Sequence, residues 1–244
     1  MEHLLTPELS IFFVLALGFV LGLQHATEGD HLAAVTAIVS EKKQLFSASL
    51  VGGLWGVGHT TSLFVMGALV IFLKLQIDER TESRLEAIVG GMLILLGFNA
   101  LWKLYRGGRI HAHTHSHGEH AHVHFHTHQT AEKELNSNHH NLRFNIRSVI
   151  VGMVHGLAGT AGLMLLVLPK IDSPLIALSF ILIFGIGSIG GMMVMSFLVG
   201  LPLYFTAHRF TQLHFAIRCL AGVFSLVFGM SIIYERLVTI LSPK

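Results

Sequence analysis

The chain has 244 residues, 52% of them hydrophobic and only 12% charged, with a formal net charge of +2 and a mean hydropathy of +0.65. A soluble domain carries about 25% charged residues, so this composition excludes an ordinary soluble globular protein, and a net charge this small gives no basis for binding nucleic acid. The single cysteine, Cys219, excludes an internal disulfide and any cysteine-based metal site.

Stretches free of Lys, Arg, Asp and Glu cover residues 10–23, 45–73, 87–102, 148–169, 173–207 and 219–234. Several reach the ~20 residues that cross a hydrocarbon core, and the shorter ones reach it with flanking residues whose charged tips snorkel. Residues 1–10 contain no Lys or Arg, so they lack the positive region of a cleaved signal peptide. Six main spans are predicted, over 9–27 with a continuation to 40, then 48–73, 85–105, 147–168, 175–205 and 216–238. The region 9–40 would make a helix of about 48 Å and 175–205 one of about 46 Å, against a core of about 30 Å. Each is therefore expected to be broken, tilted or split, the second at Pro202 or at the cluster Gly185, Gly187, Gly190 and Gly191.

The first span runs into Gln24-His25-Ala26-Thr27-Glu28-Gly29-Asp30-His31. Ionisable groups at membrane depth are costly and mark ion or substrate paths. On an intact helix His25 and His31 would be separated by about 9 Å of rise and about 240° of rotation; a break at Gly29 lets them converge. Glu28 and Asp30 add the negative charge that a divalent cation needs. The next span carries His59 near its middle, followed by Thr60, Thr61 and Ser62, and the fourth carries His155. The candidate metal ligands are thus His25, Glu28, Asp30, His31, His59 and His155. Imidazole suits nickel, cobalt, copper and zinc, and the missing cysteines argue against copper(I). Each has a plainer reading: capping for His25, His31 and Glu28, packing for His59 and His155. Asn99 reads as a helix–helix hydrogen bonder and Met192, Met193 and Met195 as lipid-facing or core filler.

Between the third and fourth spans, nine histidines fall between positions 111 and 128, mostly alternating with small or polar residues. This tract is expected to be disordered and metal-binding. The halves on either side echo each other. Gly22-x-x-His25 matches Gly152-x-x-His155, Gly56-Val57-Gly58-His59-Thr60-Thr61 matches Gly185-Ile186-Gly187-Ser188-Ile189-Gly190, and Gly90 with Gly97 matches Gly222 with Gly229, all at offsets of 129–132 residues. An odd number of crossings per repeat makes the repeats inverted. The expected fold is an all-α polytopic membrane protein of two inverted three-helix repeats with broken helices, residues 1–105 and 147–244, joined by a His-rich loop at 106–146. The Lys and Arg bias places that loop in the cytoplasm and both termini outside.

His25-Ala26-Thr27-Glu28-Gly29-Asp30-His31 resembles the His-Ala-x-Asp-Ala-Asp-His signature of the nickel/cobalt transporter family, which includes urease-accessory nickel permeases, and Gly58-His59-Thr60-Thr61 resembles that family's second element. Glu28 stands in place of the usual Asp and Gly29 in place of Ala; importers of the family commonly have about eight spans, where six fit here. The resemblance implies transport of Ni²⁺ or Co²⁺ across the cell inner (plasma) membrane, in the direction of uptake, with no resident cofactor and no enzymatic activity. It implies as partners a divalent transition-metal ion, the lipid bilayer, and a cytoplasmic nickel chaperone or urease or hydrogenase maturation proteins. Rival readings are Ni²⁺/Co²⁺ efflux, Zn²⁺ or Mn²⁺ transport on the same scaffold, and a membrane metal sensor or delivery protein. A zinc hydrolase is disfavoured because the His-Glu-x-x-His spacing is absent, and no phosphate-binding Gly-Lys-Ser/Thr loop for ATP occurs.

Overall fold

A computed structural model describes residues 7–40, 44–75, 78–107, 111–117, 120–126, 146–158, 173–207 and 210–241. The helices are α1 (Pro7–His25), α2 (Gly29–Val39), α3 (Leu45–Leu73), α4 (Glu79–Gly107), α5 (Ile146–Ala158), α6 (Pro174–Ala207) and α7 (Thr211–Leu241). Four of them, α3, α4, α6 and α7, are each long and apolar enough to cross a membrane, and α1 with α2, bent by 54° at their break, counts as a fifth where the pair is taken as one span. The fourth predicted span, 147–168, corresponds to α5 at its start, and its second half lies outside the described residues. The chain is a multi-pass membrane protein.

Its surface is what lipid requires. Large apolar side chains face outward on the long helices, among them Phe12 and Phe13 on α1, Phe72 on α3, Leu95 on α4, Phe205 on α6 and Leu220 on α7. The interior holds Trp55, Leu63, Leu93, Phe184, Met192 and Leu203 together with buried serines and histidines. Near the end of α4 the Arg106 guanidinium lies 5.1 Å from the Trp102 ring, beside exposed Tyr105, the amphipathic residues favoured where a span leaves hydrocarbon. Arg236 of α7 pairs with Glu86 of α4.

The predicted break between α1 and α2 is present. The Thr27 and Glu28 amides turn back onto Gln24 O at 2.9 Å and His25 O at 3.1 Å, and Glu28 is extended (φ −64°, ψ 152°) before α2 restarts. A Cβ at Gly29 would lie 2.7 Å from the tip of the Phe228 ring of α7, which would have to shift to admit it. Of the courses expected for the second long region, the break and the split are absent: α6 runs unbroken for 34 residues, about 51 Å of helix, with Pro202 inside it. Its glycines serve close packing, as small residues do in membrane helices; Gly187 lies on the backbone of α1 and Gly185 on Thr60 of α3.

Helices meet backbone to backbone at recurring positions. A Cβ added at Gly22 would collide with Phe184 O and come within 2.9 Å of Ser188 N; one added at Gly152 would collide with Trp55 O and come within 2.9 Å of His59 N. Gly187 lies against Phe19 O and Leu23 N, as Gly58 lies against Val149 O and Met153 N. So α1 seats on α6 and α5 on α3. The α4–α7 pair closes on itself at Gly90 with Gly229 and at Gly97 with Gly222.

The histidine tract departs from the expectation of disorder. His111–His117 (β1) and His120–His126 (β2) pair antiparallel, with His111 opposite His126, His113 opposite His124, His115 opposite His122 and His117 opposite His120. Alternation of histidine with another residue has the period of two that a strand has.

Candidate functional site

Each site residue arrives from a different local device. The end of α1 delivers His25, the first turn of α2 carries Asp30 and His31, the middle of α3 carries His59, and α5 carries His155. Asp30 also suits its position electrostatically, since a carboxylate is favoured near a helix N-terminus. Because the chain turns between α1 and α2, the His25 and His31 rings lie 4.3 Å apart, centre to centre. His31 lies 4.2 Å from His155 and 5.3 Å from His59, and His59 lies 5.3 Å from His25 and 5.8 Å from His155.

All four imidazoles are buried, His31 and His59 completely. Two overlapping groups can each hold a metal ion: His25, His31 and His59, and Asp30, His31 and His155, with one ligand atom from each residue lying within 4.8 Å of the others. His31 belongs to both.

The hydrogen bonds fix which nitrogens are free. His31 Nδ1 donates to Asp30 Oδ1 at 2.9 Å, joined there by the His31 backbone N–H at 2.8 Å, and His155 Nε2 donates to Asp30 Oδ2 at 3.0 Å. His25 Nδ1 donates to Glu28 Oε1 at 2.9 Å. A carboxylate on one ring nitrogen sets the tautomer and turns the other nitrogen's lone pair outward, the arrangement that supports metal-binding histidines. Left without a protein partner are His25 Nε2, His31 Nε2, His155 Nδ1 and both nitrogens of His59. Buried polar atoms are rarely left so, and here several lie within a few ångströms of one another. Lone pairs of this kind suit a borderline divalent cation, whose charge a carboxylate such as Asp30 would offset.

The structure brings all six predicted residues to one place. Glu28 differs from the rest: its side chain is 56% exposed, against 28% for Asp30, and it touches His25 at the rim. Asn99 and the methionines stay outside the cluster; Met192 is fully buried core, packed against Gly56 of α3. Two residues not foreseen form the wall. Trp55 lies 5.3 Å from His31 and 5.5 Å from His155, and Phe184 lies 5.3 Å from His25. Each stands four residues before a position already aligned between the halves, His59 and Ser188, which was the available signal.

The chain is 34% identical over 241 residues to the urease accessory protein UreH of Bacillus sp. (strain TB-90), covering 95% of each. A chloroplast protein of Arabidopsis thaliana named for growth and fertility is 27% identical over 179 residues, 72% of this chain and 46% of that one. A Methanocaldococcus jannaschii protein named for nickel/cobalt efflux is 32% identical over 79 residues, 32% of this chain and 37% of that one. No protein-family profile matches the chain, and no solved structure does.

Proposed function

This chain belongs to the nickel/cobalt transporter family that includes the urease accessory protein UreH, and from that premise we propose that it carries Ni²⁺ or Co²⁺ across the membrane, in the direction of uptake, through the histidine and aspartate cluster. It is a transport protein and not an enzyme. The observation that carries the reading is the convergence of His25, His31 and His59, buried in the spans with free ring nitrogens.

In this reading the ion sheds water and takes His25 Nε2, His31 Nε2 and His59 as ligands. Asp30 holds His31 and His155 in place and supplies charge, and His155 takes over as the ion moves on. Glu28, exposed at the rim, meets the ion first and orients His25. Two inverted three-helix repeats, 1–105 and 147–244, are supported by the matched backbone contacts of α1 on α6 and of α5 on α3, and by the reciprocal contacts of Gly90 with Gly229 and Gly97 with Gly222. Under that pairing the first helix of each half rests on the first long helix of the other, α1 on α6 and α5 on α3. Rocking one half rigidly against the other would tear these seats, so the moving part is α2 together with the α4–α7 pair that packs on it. A urease-accessory role fits inward supply of metal, with the His-rich loop on the cytoplasmic side and a nickel chaperone or maturation protein as the receiver.

The test is metal flux into sealed liposomes holding the purified protein, with Ni²⁺, Co²⁺, Zn²⁺ and Mn²⁺, with and without an imposed pH gradient. Nickel or cobalt should move, and His25→Ala and His31→Ala should abolish the movement while still inserting in the membrane. Stoichiometric binding without movement of any metal would favour a sensor or delivery protein instead, and wild-type flux in both variants would refute the site.

A further inference from the structure

Ser188 of α6 is fully buried, and its hydroxyl oxygen has no hydrogen-bond partner. It stands where His59 stands in the first half. The backbone N of Ser188 lies against Gly22 as that of His59 lies against Gly152, at the same 2.9 Å from an added Cβ. The likeness extends to side chains: four residues earlier, Phe184 rests 5.3 Å from the His25 ring, as Trp55 rests 5.5 Å from the His155 ring. His25 and His155 are themselves the matched pair of the two short helices, so Ser188 occupies on α6 the backbone frame that His59 occupies on α3.

Resting on the transport reading, we propose that Ser188 is a specificity-determining residue that offers its hydroxyl oxygen to the transported ion from the side opposite His59. A neutral hydroxyl is a weak donor. Added to three imidazoles and one retained water, it makes five donors, above the four that zinc prefers, which favours Ni²⁺ and Co²⁺. It also leaves the bound ion less tightly held than an imidazole at the same position would, and conduction needs sites that can be left as well as entered. The halves therefore differ where the ion gains from asymmetry: a strong donor on α3 and a weak one on α6.

The test uses the purified full-length protein in detergent with Co²⁺ as the probe, since its visible d–d bands intensify when coordination becomes tetrahedral. Ser188→Ala should weaken Co²⁺ binding about tenfold, intensify those bands and shift competition toward Zn²⁺, with no fall in melting temperature in chelator. Ser188→His should bind Co²⁺ more tightly than wild type and carry it more slowly. Wild-type Co²⁺ affinity and spectrum in Ser188→Ala would overturn the proposal, as would a lowered melting temperature with an unchanged spectrum, the mark of a packing role. If wild-type protein bound no Co²⁺, the transport reading itself would fall; binding by wild type with an unaltered variant would overturn the Ser188 proposal alone.

Discussion

His59 separates a ligand from a packing residue by the sign of one stability change. Its ring is completely buried and neither nitrogen has a protein partner. A neutral imidazole holds one donor and one acceptor, and a buried polar group left unsatisfied costs about 1–3 kcal/mol. Leucine fills a similar volume with no polar atom, so His59→Leu should stabilise the metal-free protein by about 2 kcal/mol, the low end for two such groups. For a chain of this length that is a rise in Tm of about 4–8 °C. Metal reverses the order: a ligand at a thousandfold excess over Kd adds about 4.1 kcal/mol to a protein that binds it, and the variant has lost a ligand. The assay is thermal melting in detergent, followed by tryptophan fluorescence, in chelator and in excess NiCl₂. His59→Leu should melt above wild type in chelator and below it in nickel. If the variant melts lower in chelator and both proteins gain equally from nickel, His59 is a packing residue and the proposed ligand set is wrong.

Asp30→Asn keeps the shape but loses the charge and one of the two imidazole acceptors; Ni²⁺ affinity, read by calorimetry, should fall about 10- to 100-fold. Gly22→Ala and Gly152→Ala should each push a short helix off its long partner by about 1 Å, at a cost of about 1–3 kcal/mol. A misplacement of that size costs on the order of 10²-fold in function, so both should show reduced nickel flux, and near-wild-type flux in either would refute the close seating. Deletion of residues 112–128 should leave flux at saturating nickel intact and lower it at limiting nickel; total loss would put the tract in the transport path.

The polar cluster was legible because membrane segments make polar residues conspicuous: His25, Asp30, His31, His59 and His155 stand out against charge-free surroundings, and only the turn at Gly29 had to be inferred to join the first pair. The unbroken course of α6 was not legible, because glycines and Pro202 read as break points unless one knows which backbone lies against them. Strand pairing in the histidine tract was hidden behind a composition that cannot build a core. Trp55 and Phe184 look like any interior aromatics until their rings are placed on His155 and His25. Ser188 was already aligned with His59, yet a hydroxyl among glycines reads as filler in a membrane helix.

The seating of α1 on α6 and of α5 on α3 also bears on how the chain is made. When a ribosome has completed the first half, α1 has been inserted but the backbone groove that receives it, around Phe184 and Ser188, has not yet been synthesised. Until α6 enters the bilayer, α1 must be held against lipid or a transient partner with its glycine stripe uncovered, and the paired imidazoles at its end cannot be sealed from water. Closure of the site is thus a late event in biogenesis, coupled to insertion of the second half. Contacts this distant in sequence are slow to form, and the first half synthesised alone would lack the Phe184 ring against which His25 comes to rest.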